Sequence, residues 1–148
     1  MYVAIDFGIS NTDLAISDKD NIVFHTTPSQ SSEINADTLK NILKKHEIDI
    51  SNVKKIGVTG GKSSDLDDEL DKVKIIKINE IDAIGLGAKK LYGIGEESAL
   101  VVSAGTGTAC VHVQGNNFNH LGGIAVGGGM LEGLGALLFK NSNGLEIN

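Results

Sequence analysis

The sequence predicts an α/β fold built on a mixed sheet, and three observations carry that prediction. The chain opens with three short β-rich runs joined by hairpin-length turns. Helix-patterned and strand-patterned segments then alternate to the end. The composition, 41% hydrophobic and 22% charged over 148 residues, is that of a globular chain with room for one ordinary domain.

The opening "MYVAIDFG" alternates apolar and polar residues and reads as a strand, followed by "NTDLAIS" and, after the turn "DKDN", by "NIVFHTT". Pro28 and the serines after it make a loop. In "NADTLKNILKKHEI", Leu39, Ile42, Leu43 and His46 fall at helical spacing behind Asn35 as cap. "VKKIGVTGG" reads as a buried strand ending at two glycines, and "KVKIIKI" as another short strand. Between them "KSSDLDDELDK" reads as a solvated surface segment, because its acids lack the ordered oxygen-ligand loop of a calcium site. "NEIDAIGLGAKKLYG" predicts a helix capped by Asn79 and stopped by Gly93. "ESALVVSA" and "TACVHVQG" predict a hairpin across "GTG", and "GGGMLEGLGALLFK" a last helix. No linker or domain boundary is visible.

Composition narrows the function. A net charge of −6 and a pI of about 5.1 argue against a large nucleic-acid footprint. No apolar run reaches the roughly 18 residues of a membrane span, and the N-terminus carries acid where a signal peptide needs base. The lone Cys110 allows no internal disulfide, fits a reducing cytoplasm, and reads as a buried inert thiol. His25, His46, His112 and His120 show no zinc-ligand spacing.

Two segments, "AIDFGISNTDLAI" and "VVSAGTGTACVHV", share one device: strand, glycine turn with hydroxyl residues, strand. Such a turn offers unobstructed N–H groups and hydroxyls at one point, which suits phosphate oxygens. The first offers Gly8, Ser10, Asn11 and Thr12 with Asp6 ending the strand; the second offers Gly105, Thr106, Gly107 and Thr108. Either one alone reads as an ordinary hairpin turn; two of matching design, one led by Asp, point to nucleotide phosphate. Asp6 would meet phosphate through Mg²⁺ and its waters. Neither a P-loop nor a Rossmann fingerprint is present. Gly127, Gly128 and Gly129 precede an apolar helix and read either as a joint or as an anion site at a helix start. Glu80 opens a helix, where an acid is favoured by the dipole and where it can also serve as a general base. Lys62 reads as a surface lysine or a phosphate contact.

The segments "AIDFGISNTD", "VTGG", "INEIDAIGLGA" and "VSAGTGTACVHVQGNNFNHLGGIAVGGGMLEGLGALL", in this order, resemble the N-terminal half of type II pantothenate kinases, members of the sugar-kinase, Hsp70 and actin superfamily. The resemblance implies a ribonuclease H-like, actin-like ATPase fold with a mixed five-stranded-type sheet. On it, residues 1–148 form the N-terminal lobe of a normally two-lobed fold, without the C-terminal lobe. It implies ATP and Mg²⁺ as cofactors, pantothenate or a similar hydroxyl compound as substrate, a homodimer, and a cytoplasmic setting without nucleic acid or membrane. Carried over by position, Asp6 to Asp13 match the first phosphate loop, with Asp6 serving Mg²⁺, and Gly105 to Thr108 match the second. Glu80 matches the catalytic base. Gly128, Gly129 and Met130 fall where nucleotide is bound, and His120, Gly122 and Gly123 where substrate is met. Two departures stand out: Asp13 replaces a lysine common in relatives, and His120 an arginine.

Overall fold

The computed structural model describes residues 1–19, 21–29, 33–61, 63–141 and 143. They form two compact units, Met1–Glu80 and Ile81–Asn148. The division falls in the first turn of a continuous helix, which is why no linker announces it in the sequence.

The first unit holds a sheet in the order β3-β2-β1-β4-β6-β5. Strands β1 (Tyr2–Phe7), β2 (Asn11–Asp18) and β3 (Asn21–Pro28) form the antiparallel meander that the sequence predicts. After α1 (Ala36–Lys45), β4 (Lys55–Thr59) returns to lie parallel to β1, and β6 (Val73–Lys77) lies parallel to β4. These are the five expected strands; the two-residue β5 (Glu69–Leu70) adds a short antiparallel edge.

Period-2 alternation sets the faces. Val3, Ile5 and Phe7 of β1, Ile56 and Val58 of β4 and Ile75 of β6 are buried with Leu39 and Leu43 of α1 in one apolar cluster. The helix starts where its sequence says: the Asn35 side chain accepts from the Thr38 N–H at 3.0 Å, and Thr38 answers the Asn35 N–H. The acidic segment after β4 is not wholly solvated. Leu66 and Leu70 anchor it in the core, two apolar residues hidden among five acids.

The second unit takes in α2 (Glu80–Tyr92) from Ile81 onward. Gly93, at φ 66°, stops the helix in the left-handed region. A three-stranded antiparallel sheet follows, β7 (Ser98–Ala104), β8 (Thr108–Gln114) and β9 (Asn117–Ile124), and then α3 (Gly128–Phe139). Gly85 lets α2 press against the Phe118 ring of β9, where a Cβ would collide. Lys89 donates to the Gly115 carbonyl at the β8–β9 turn. Cys110, expected to be buried, is half-buried on β8. No helix among the described residues is long and apolar enough to cross a membrane.

Candidate functional site

The three parallel strands of the first unit deliver their carboxyl ends to one place, the end of such a sheet where ligands are commonly bound. Strand β1 brings Asp6, β4 brings Thr59, and the segment after β6 brings Glu80. In register, Asp6 lies opposite Asp13 of β2 on one side and Thr59 of β4 on the other. Directly paired residues share a face, so these side chains stand on the face opposite the apolar core.

This geometry concentrates negative charge. The Asp6 carboxyl keeps solvent contact, yet partial burial raises its pKa above the ordinary value, and the charges of Asp13 and then Glu80 raise it further. Asp13 is held by the Thr26 hydroxyl across β2 and β3. Thr59 completes the group, with a buried hydroxyl that has no hydrogen-bond partner among the described residues. Its signal in the sequence is slight, a polar residue ending an apolar strand before two glycines.

Among the described residues no three metal-ligating side chains are grouped to hold an ion by themselves. A surplus of carboxylate charge beside an unsatisfied hydroxyl nonetheless suits a hydrated divalent cation, which keeps most of its waters and takes one or two carboxylates. Asp6 and Asp13 are the residues that fit it.

The first glycine turn, Gly8 to Asn11, is strapped to the end of β3. The Ser29 hydroxyl donates to the Gly8 carbonyl at 2.7 Å, and the Ser29 N–H to the Ser10 carbonyl at 2.9 Å. Thr12 pairs with Phe7, so its side chain lies on the core face, 3.4 Å from the Ser29 hydroxyl, rather than beside Asp6. Gly60, at φ 94°, lies against the Phe7 backbone, where no side chain fits.

In the second unit, Gly105, Thr106 and Gly107 form a three-residue turn between the paired Ala104 and Thr108. The N-terminus of α3 is built onto it: Gly129 N–H donates to the Gly105 carbonyl and Met130 N–H to the Thr106 carbonyl, each at 3.2 Å. Two donors that the sequence offers to a phosphate are therefore engaged with the turn itself. Gly127 is a close-packing residue rather than a joint, because a Cβ there would meet the Gly105 carbonyl at 2.7 Å. Beside this assembly, Gly122 (φ 151°) and Gly123 pair with Cys110 and Ala109 next to an irregularity in the β8–β9 register. His120 is exposed on β9, in register with Val111. Lys62 lies outside the described residues.

Two glycine hairpins, one in each unit, and carboxylates at the ends of parallel strands narrow the comparison with known proteins. No protein-family model matches the chain. A type II pantothenate kinase of Bacillus anthracis is 30% identical over 143 residues, which is 92% of this chain and 48% of that protein. One from Bacillus cereus is 35% identical over 91 residues, 57% of this chain and 32% of that protein. The chain is a relative of the type II pantothenate kinases. It spans about half the length of the curated relatives it matches.

Solved structures agree on the fold. The activator of the 2-hydroxyisocaproyl-CoA dehydratase from Clostridium difficile, with bound ADPNP, superposes with a TM-score of 0.67 at 19% identity, over 94% of this chain and 52% of that one. A ROK hexokinase from Thermus thermophilus gives 0.51 at 15% identity, over 95% of this chain and 64% of that one. The fold is the ribonuclease H-like, actin-like ATPase fold expected from the resemblance.

Proposed function

We propose that this pantothenate kinase relative takes part in ATP-dependent phosphorylation of pantothenate to 4′-phosphopantothenate, the entry step to coenzyme A, either as the kinase or as the N-terminal half of one. The observation that carries the reading is the convergence of Asp6, Asp13, Glu80 and the unsatisfied Thr59 at the carboxyl ends of parallel strands. The similarity to type II pantothenate kinases over 92% of the chain supports it.

In this reading Glu80 accepts the proton of the substrate hydroxyl as its oxygen attacks the γ-phosphorus of ATP. The new O–P bond forms while the bond to the β,γ-bridging oxygen breaks, and that electron pair leaves with ADP. The turns Gly8–Asp13 and Gly105–Thr108 orient the phosphates, with Thr12 contributing through its backbone and with Gly129 and Met130 bracing the second turn beside Gly128; His120, Gly122 and Gly123 meet the substrate. Mg²⁺ bound through water to Asp6 would supply charge neutralisation on the transferred group. A cytoplasmic homodimer acting on pantothenate or a similar hydroxyl compound completes the proposal.

The test is ADP release by the purified chain with Mg²⁺-ATP, with and without pantothenate, against Glu80→Gln. Pantothenate-dependent release that falls about 10²- to 10⁴-fold in the variant, at nearly unchanged ATP affinity, supports Glu80 as base. Equal activity in the variant removes that mechanism. ATP binding without release favours a second reading, a nucleotide-binding module without turnover.

A further inference from the structure

On the core side of the first-unit sheet, away from Asp6, a cavity of about 250 Å³ opens between the β1–β2 turn, the end of β3 and α1. Its lining combines the apolar Phe7, Ile34 and Ile42 with Asn41, Lys45 and His46, and includes Thr12 and Ser29. Helical spacing puts Asn41, Ile42 and Lys45 on one stripe of α1.

The charge of this lining is unlike the rest of the chain. Asp and Glu make up 19 of the 148 residues, yet none lines the cavity. Among the described residues Lys45 has no ion-pair partner, and the Asn41 carboxamide has no hydrogen bond. The His46 ring lies 4.5 Å from that of His25, centroid to centroid. Burial first, then His25 and Lys45, lower the His46 pKa, so at neutral pH it is an uncharged imidazole able to donate one N–H. An unpaired cation and two neutral donors beside an apolar wall recognise an anion with a hydrocarbon body. The volume lies below the roughly 300–1,000 Å³ of drug-sized sites, so the ligand is small.

We infer that this cavity binds a small aliphatic carboxylate, its head on Lys45, Asn41 and His46 and its chain against Phe7, Ile34 and Ile42. The site is separate from the face that carries Asp6 and Glu80, so its occupant is an effector rather than the phosphorylated substrate. Ser29 and Thr12 link it to the phosphate turn, because Ser29 holds the Gly8 and Ser10 carbonyls.

Hexanoate is the probe, titrated into the ¹⁵N-labelled chain and followed by amide and histidine ring NMR. The expected result is saturable shifts at Gly8, Asn41 and Lys45, a rise in the His46 titration midpoint, and binding at least tenfold weaker in Lys45→Glu and Lys45→Met. Lys44→Glu, the same charge change one residue away, should alter affinity less than twofold. Hexylamine, equal in length and opposite in charge, should not bind. Absence of saturable shifts, equal binding of hexylamine, or full affinity in both Lys45 variants at intact fold overturns the assignment. Inorganic phosphate matching hexanoate at the same residues would overturn the carboxylate class. Bound hexanoate should also change ATP affinity several-fold, in the usual range of allosteric coupling. That readout alone rests on the nucleotide reading: hexanoate shifts without any ATP binding would overturn that reading and leave the cavity assigned.

Discussion

The two units share one device and bury it differently. Each contains an antiparallel meander whose first turn is rich in glycine and follows that meander with a helix, although the second unit opens with α2. In the first unit β1 is flanked by β4 as well as β2, and α1 closes a cluster that holds twelve buried apolar residues among the described ones. In the second, the buried apolar residues among those described are Val111, Val113 and Ala88, while Leu137 and Phe139 of α3 stand 76% and 77% exposed. A shared supersecondary device thus does not make a core. The parallel return strands and the amphipathic helix do, because they give the apolar face of the meander something to bury against.

That difference is broken or sharpened most strongly by truncating one leucine in each helix. Leu39 is fully buried, so Leu39→Ala should lose about 2–5 kcal/mol of stability through lost burial and the cavity left behind. Leu137→Ala removes an exposed side chain and should change stability by no more than about 0.5 kcal/mol. Urea unfolding followed by amide signals from each unit makes the comparison; equal losses would mean that α3 is as firmly packed as α1.

A smaller contrast lies in the glycines. Gly127→Ala would push a methyl group into the Gly105 and Gly107 carbonyls and should destabilise by about 1–3 kcal/mol, as overpacking does. Gly61→Ala meets nothing within 4 Å and should be neutral, or stabilising by up to about 1 kcal/mol. Hydrogen exchange at Gly129 and Met130 would report the first effect directly, since their amides are bonded to the turn.

What the sequence made legible follows from the strength of each local signal. The meander, α1 with its Asn35 cap, and the hairpin around Gly105–Gly107 are regular in pattern and were readable from period and turn chemistry. Strand β9 was not: "NFNHLGGI" does not alternate, and its two glycines carry no side chain to pattern. The anchoring of Leu66 and Leu70 was masked by the acids around them. Of the candidate site, Asp6 and Glu80 stand out as acids at a strand end and a helix start, features visible in a sequence, while Glu80 as base is implied by the resemblance alone. Pairing is not visible, so Asp13 as the neighbour of Asp6, Thr12 on the other face, and the orphaned Thr59 needed the register.

The smallest expected effect separates the two glycine turns by charge. The second turn, Gly105 to Thr108, carries no ionisable side chain, whereas the first ends β1 at Asp6 beside Asp13. The pKa of Asp6 is raised in the folded state, so the fold binds its proton more tightly than the unfolded chain does. Below the unfolded value, near 3.8, both states are protonated and Asp6 carries no penalty. As pH rises through the folded pKa, the ionised carboxylate opposes folding and the penalty reaches its plateau. Asp6→Asn should therefore match the parent chain at low pH and exceed it at neutral pH, by less than about 1 kcal/mol because solvent screens the site. Mg²⁺ should narrow the gap by stabilising the parent but not the variant, and thermal unfolding at several pH values with and without Mg²⁺ measures both. A variant less stable than the parent at neutral pH would mean that the carboxylate is held by favourable contacts, reversing the electrostatic account of the first turn.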